Sequence, residues 1–205
     1  MKIIEPSVIL TDIINPADIY EKIERCGRVC YQSSPKGKSE DFVRMLIKRG
    51  HESVLEHVSL TFHIICDRAI QNELVRHRHC AFSVESTRFV KYNDLTVIMP
   101  DFNGNGDAER AFKNIVREIQ DEHYGFFVKL CKCPPEIARA VLPLCTKSEL
   151  FMTTNLREWR SILKLRTSDK AHPQMQVVAN KILGIFKDKL PVIVEDINND
   201  KPTTD

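Results

Sequence analysis

Apolar residues recur at helical spacing along most of the chain and alternate with polar ones over one clear stretch. Asn15-Pro16 joins a capping side chain to a proline at the first helical position. Ile19, Ile23, Cys26 and Cys30 follow on one helical face. Ser39 stands where it would cap a second helix, with Phe42, Val43, Leu46 and Ile47 inward and Gly50 closing it. Val58, Leu60, Phe62, Ile64 and Cys66 alternate with polar residues, the pattern of a half-buried strand. Asp67 then opens a helix carrying Ile70 and Leu74, and Leu95 to Met99 is a further strand candidate. After the polar, Gly/Asn-rich loop DFNGNGD (101–107), the residues Ala108, Phe112, Ile115, Ile119, Phe126 and Leu130 keep the helical period. Pro134-Pro135 opens a short helix through Ala140. Asn155 is placed to cap another, with Leu156, Trp159, Leu163 and Arg166 on one face. Pro173 opens the last, with Met175, Val178, Ile182 and Phe186 inward. Helices dominate and strands are few, so the expected class is mixed α+β. A single domain over residues 1–195 is expected, followed by a tail, DINNDKPTTD (196–205), with little to bury.

The chain has 205 residues, 42% of them hydrophobic, which suffices for one sizeable core and excludes a wholly disordered chain. Thirty Lys and Arg against 28 Asp and Glu leave +2, so global charge argues for neither nucleic acid nor a membrane surface. No apolar run approaches the roughly 20 residues of a membrane helix. The N-terminal stretch MKIIEPSVILTDIINP carries acids and a proline, unlike a signal peptide. Seven cysteines, an odd number, read as free thiols in a reduced, cytoplasmic setting.

The densest chemistry is Arg76-His77-Arg78-His79 followed by Glu85-Ser86-Thr87-Arg88: three arginines and two histidines within thirteen residues. Arginine's planar fork of donors suits phosphate and carboxylate. The same cluster also reads as a solvated basic helix end, favoured by the helix dipole. In HESVLEH (51–57), Ser53 and Glu56 fit a capping box, and the histidines, six apart, lack the spacing of a helical zinc pair. Arg139, Arg157 and Arg166 stand in apolar company. A cation on an apolar stripe is costly unless paired, so Arg166 is either snorkelling, paired with an acid such as Glu158, or part of a buried anion site. Cys131, Cys133 and Cys145 lack a fourth ligand and the usual gap of a zinc site, and no metal is expected. No P-loop and no G-x-G-x-x-G occurs, which with only seven glycines disfavours a Rossmann nucleotide site.

Arg76-His77-Arg78, seven residues, then Ser86 resembles the signature of flavin-dependent thymidylate synthases. HESVLEH, DRAIQNELVRHR (67–78), ESTRFVKY (85–92), EIARAVLPL (136–144) and TNLREWRSILKLRTSDKAHPQMQ (154–176) resemble that family's blocks in the family's order, covering residues 25 to 187 in pieces. The resemblance implies a mixed α/β fold with a sheet flanked by long helices. It implies an enzyme that makes dTMP from dUMP, with 5,10-methylenetetrahydrofolate as methylene donor, FAD as redox cofactor and NADPH as reductant. It further implies a homotetramer with active sites at subunit interfaces.

By the same resemblance, Ser53, Arg76, His77, Arg78, Val84, Asn155, Arg157 and Ser161 fall at flavin-contacting positions. Glu73, Arg76, Glu85, Ser86, Thr87, Arg88 and Arg139 fall at dUMP-binding positions. Arg166 matches the arginine that binds the uracil and favours its ionisation at N3, and it is the expected catalytic residue. A cation in a poorly hydrated pocket would stabilise that charge better than one in water, and an anionic pyrimidine is more electron-rich at C5. No cysteine nucleophile is needed, and Ser86 without an adjacent base reads as a nucleotide contact. Two positions depart from the family: Val84 replaces a usual Gln or Glu, and Ser161 a frequent His or Asn. An inactive flavin- or nucleotide-binding homologue, a nucleic-acid-binding protein contacting its ligand through VRHRH, and a zinc hydrolase are the rival readings.

Overall fold

In the computed structural model, which describes residues 1–30 and 32–197, six strands are interleaved with helices. The strands are β1 (Lys2–Ile3), β2 (Ser7–Leu10), β3 (Ser59–Asp67), β4 (Ala81–Val84), β5 (Thr96–Val97) and β6 (Lys147–Asn155). The α-helices are α1 (Pro16–Val29), α2 (Ser39–Lys48), α3 (Arg68–Leu74), α4 (Gly106–Glu118), α5 (Pro135–Ala138), α6 (Leu156–Arg166), α7 (Pro173–Lys189) and α8 (Pro191–Val194). One sheet has the order β2-β3-β6-β4; β1 and β5 form a separate parallel pair with Lys2 opposite Thr96 and Ile3 opposite Val97. The class is the mixed α/β one expected.

The described residues group into two compact units, each discontinuous in sequence: Met1–Ser7, Ile64–Arg76 and Ser83–Leu150 form the first; Val8–His63, His77–Phe82 and the described chain from Phe151 form the second. In the first, buried Leu95, Val97 and Val116 pack with Met1, Ile3, Tyr92, Phe112, Leu142 and Cys145. Asp67 caps α3 by accepting the Ile70 N–H at 2.9 Å.

In the second unit, α1 and α2 pack together, and Gly27 permits their approach: a Cβ there would stand 3.0 Å from Phe42 and 3.1 Å from Leu46. Asn15 caps α1 by accepting from the Ala17 N–H at 3.2 Å, with Pro16 in the first turn. Asn155 caps α6 by accepting from the Glu158 N–H at 2.9 Å. Trp159 is wholly buried; its edge meets the Phe62 ring at 4.9 Å and its indole N–H donates to Leu60 O at 3.1 Å. Phe186 of α7 completes that aromatic cluster.

Several expectations are corrected. Ser39 does not cap α2: it is the helix's first residue, and its hydroxyl donates to the buried Glu24 carboxylate at 2.5 Å. Ser53 and Glu56 form no capping box, because both lie inside a 3₁₀ helix (Glu52–His57) whose N-cap, His51, makes no side-chain bond. The helix from Ala108 onward continues to Leu130 but changes to π geometry over Ile119–Tyr124 and Phe126–Leu130. The wider turn shifts the phase of the helix face. Before the change, Val116 rather than Ile115 is buried; after it, Tyr124 is buried while Phe126 and Leu130 are exposed. The expected strand at Leu95–Met99 shrinks to Thr96–Val97, while β6 and three shorter strands went unread. The loop before α4, as its composition predicts, turns sharply, with Asn103 and Gly104 at positive φ and Asn105 capping the helix. The packed chain extends past 195: Ile197 is buried and Asp196 is ion-paired with Arg160. Residues 198–205 of the expected tail lie outside the described residues.

Candidate active site

The predicted site residues divide between the two units. In the second unit, chain reversal after α3 places His77 over one face of α6, where Glu158 and Arg166 stand two helical turns apart. The Arg166 Nε–H donates to His77 Nε2 at 3.1 Å, and His77 Nδ1 stands 3.8 Å from Glu158 Oε1. The His77 side chain is only 11% exposed. A nitrogen that accepts cannot carry the proton, so this geometry selects the neutral tautomer with Nδ1–H toward Glu158. The loop is tied to β6 by the Thr154 hydroxyl, which donates to His79 O at 2.6 Å.

The 3₁₀ segment bearing Ser53 is docked on α6 through two ion pairs, Glu52 with Arg160 at 2.9 Å and Glu56 with Arg157 at 2.6 Å. Ser53, Arg78 and Ser161 are exposed and have no side-chain hydrogen bond or ion pair among the described residues. Asn155 spends its amide oxygen on the α6 cap. The buried cation of this helix is not Arg166, which is half-buried, but Arg160. Its guanidinium donates to Ile193 O, to both Asp196 oxygens at 2.7 and 2.8 Å, and to Glu52. The sequence carried the signal, since Arg160 stands four residues after Leu156 and three before Leu163, within the apolar stripe.

In the first unit, Ser86 organises a tight turn: its hydroxyl accepts the Arg88 N–H at 3.3 Å, and its carbonyl accepts from Phe89 and Val90. Thr87 is buried and accepts from Arg139 at 3.4 Å; Arg88 pairs with Glu136 at 3.0 Å across exposed surface. Glu85, entering the turn, is committed: one carboxylate oxygen accepts the Tyr92 hydroxyl at 2.7 Å and the other accepts Lys147 Nζ at 2.6 Å. Burial, reinforced by the Glu85 carboxylate, pushes the Tyr92 phenol well above its ordinary range. Burial opposes the charge on Lys147, but its bonds to Glu149 and Glu85 outweigh that and hold the ammonium on. Neither Tyr92 nor Lys147 was expected in the site, because nothing in the local pattern links them to Glu85. Arg76 is exposed and without a side-chain partner among the described residues; Glu73 is half-buried on α3, and Val84 ends β4 exposed.

Cys66, Cys80 and Cys145 are poor nucleophiles, because burial disfavours their thiolates. Burial pushes Cys66 up to about 12 and Cys145 up to about 11, and raises Cys80 against a bond with Thr154. All seven are free. Among the described residues no group of three or more His, Cys, Asp or Glu is placed to hold a metal, and no helix is long and apolar enough to cross a membrane.

Arginines, hydroxyls and amides are groups suited to anionic, planar partners, and here they stand on a mixed α/β scaffold. A family model described as "Thymidylate synthase complementing protein" matches residues 13–192. The chain is 35% identical over 196 residues to a probable flavin-dependent thymidylate synthase of Mycobacterium phage D29, covering 86% of this chain and 83% of that protein. It is 31% identical over 220 residues to the flavin-dependent thymidylate synthase of Mycobacteroides abscessus, covering 92% and 87%. Among solved structures it is similar to a UMP/dUMP methylase, PolB, from Streptomyces cacaoi bound with 5-Br dUMP (TM-score 0.80, 25% identity, 95% of this chain and 96% of that one). The chain therefore belongs to the thymidylate synthase complementing protein family.

Proposed function

We propose that the protein is a flavin-dependent thymidylate synthase that converts dUMP to dTMP, acting in the cytoplasm as a homotetramer with active sites at subunit interfaces. The balanced reaction consumes dUMP, 5,10-methylenetetrahydrofolate, NADPH and a proton, and yields dTMP, tetrahydrofolate and NADP⁺. The observation that carries this reading is the Arg166–His77 pair, in which the residue matched to uracil recognition is held by the histidine of the family signature. FAD, reduced by NADPH, supplies when bound the hydride that turns the transferred methylene into a methyl group.

The chain's own residues orient and stabilise. Arg166, aimed by His77, favours ionisation of the pyrimidine at N3, and the anionic ring is a better nucleophile at C5 toward the methylene. Ser86, Thr87, Arg88 and Arg139 bind the nucleotide, with Glu73, Arg76 and Glu85 contributing to that surface. The donors fit FAD: Arg78 and Ser53 are exposed and uncommitted, Arg157 and Asn155 lie at the start of α6, and an adenine dinucleotide needs guanidinium and hydroxyl partners of this kind. Val84 offers only backbone contacts there, and Ser161 leaves room where a larger side chain is usual.

The test is an absorbance titration. Purified protein supplied with FAD should turn yellow, and its flavin bands should shift with dUMP but not with dTTP or DNA. Turnover with NADPH and methylenetetrahydrofolate should follow. Flavin and dUMP binding without turnover would make it an inactive homologue, and a protein that takes up no FAD at high concentration would sink the flavin assignment.

A further inference from the structure

We infer that Tyr92 and Lys147 are positioning residues for nucleotide recognition, forming a clasp that holds the Ser86–Arg88 turn in its binding conformation through Glu85. The inference rests on the reading that this turn binds dUMP. The segment from Glu85 to Tyr92 carries four of the residues assigned to the nucleotide, Glu85 itself among them, and the two residues that bracket it are bonded to each other. The Tyr92 hydroxyl donates to Glu85 Oε1 at 2.7 Å, which closes the segment into a loop. Lys147 Nζ donates to Glu85 Oε2 at 2.6 Å and to Glu149 Oε2 at 2.6 Å. The Glu85 N–H donates to Glu149 O at 2.8 Å, so β6 grips both the backbone and the side chain of the residue before Ser86. Tyr92 is itself anchored: its N–H donates to the Tyr124 hydroxyl at 3.2 Å, and the two rings meet edge-on at 6.2 Å. Glu85 and Lys147 are 16% and 18% exposed, so their pairing is screened far less than a surface ion pair.

Besides the clasp, the turn is held by the Ser86 hydroxyl to Arg88 N–H, by the Ser86 carbonyl to the next two amides, and by a long bond of 3.4 Å from Arg139 to the buried Thr87 hydroxyl, while the Arg88–Glu136 pair is solvent-exposed. A loop whose ends are closed starts with fewer conformations to lose when a ligand fixes it. Both Glu85 oxygens are occupied, so its carboxylate acts on the nucleotide through the turn rather than by direct contact.

Calorimetric titration of the FAD-loaded protein with dUMP tests the clasp. Tyr92→Phe keeps the ring against Tyr124 and removes only the hydroxyl, so its fold is retained. It should weaken dUMP binding and raise KM for dUMP about fivefold. Lys147→Met, which strands a half-buried carboxylate, should do so about tenfold or more, with Lys147→Arg restoring most of the loss. In each, kcat at saturating dUMP and FAD content should change by less than about twofold. A merely structural role predicts a lowered melting temperature with unchanged dUMP affinity in the folded protein. Wild-type affinity in Tyr92→Phe and Lys147→Met, beside weakened binding in Ser86→Ala, overturns the clasp and leaves the nucleotide reading intact. Wild-type affinity in all three, Ser86→Ala included, overturns the nucleotide reading itself.

Discussion

Arg166 and His77, 89 residues apart in sequence, are joined by a hydrogen bond of 3.1 Å from the guanidinium Nε to the imidazole Nε2. The bond does two things at once. It fixes the plane of the guanidinium, and it selects the neutral histidine tautomer whose other nitrogen faces Glu158. A cation aimed in advance does not have to be reoriented when charge develops on a bound ring.

Removing that cation should therefore strike the chemistry and spare the cofactor. Arg166→Ala is expected to lower dTMP formation by about a hundredfold or more at saturating dUMP. Its FAD content, read from absorbance after gel filtration, should match the wild type. Turnover at the wild-type rate would remove Arg166 from its catalytic role.

Ser86 shapes a turn, its hydroxyl accepting a backbone N–H rather than facing a base, so it should act in binding. In Ser86→Ala, KM for dUMP should rise about tenfold with kcat largely kept, as expected for loss of a hydrogen bond to a charged partner. Complete loss of turnover at saturating dUMP would restore the idea of a serine nucleophile.

Arg160 is expected to matter for stability rather than chemistry. It is 1% exposed and bridges Glu52, which precedes Ser53, to Asp196 near the end of the described chain. Arg160→Met leaves Glu52 without this cation and Asp196 with only the exposed Lys164, 3.2 Å away. Because those carboxylates keep some access to water, the cost should sit at the low end of buried-pair losses, about 3 kcal/mol. In a chain of this size that corresponds to a melting-temperature drop of roughly 6–12 °C. Differential scanning calorimetry reads it, and an unchanged melting temperature would contradict the ion-pair account.

The same node gives a pH dependence. Hydrogen bonds from Arg160 hold the Asp196 carboxyl down to about 2 from its ordinary 3.8. A carboxylate depressed on folding contributes stability that is present above its unfolded value and disappears as pH falls through its folded one. Urea unfolding at stepped pH should thus show wild type more stable than Asp196→Asn at neutral pH. The gap should close as pH falls from 3.8 toward about 2. A gap that persists undiminished at the acid end would show that Asp196 stabilises by something other than its charge.

Much of the fold was legible because local physics wrote it. Asn15, Asp67 and Asn155 cap the helices their positions predicted, since a short polar side chain before an apolar period has one good use there. Val58 to Cys66 alternates as a strand because one face of β3 is buried. β6 was missed for the complementary reason: two of its buried positions are Ser148 and Thr154, so the alternation of burial is not an alternation of hydrophobicity. Ser148 is buried because its hydroxyl donates to Gln71 at 2.9 Å, a partner 77 residues away. The π turns after Glu118 were illegible too, because they shift the helix face without changing the residues on it.

The residue types of the site were readable from the Arg76–Ser86 signature and the arginines downstream. What those residues do to one another was settled by tertiary structure alone. Arg160 rather than Arg166 became the buried cation because Glu52 and Asp196 arrive to pair with it. Glu85 became the fixed end of a turn because Lys147 and Tyr92 reach its two oxygens. Spacing along a chain determines which side chains share a face. Which charges meet across tens of residues depends on the packing that removes them from water, and that is a property of the folded chain.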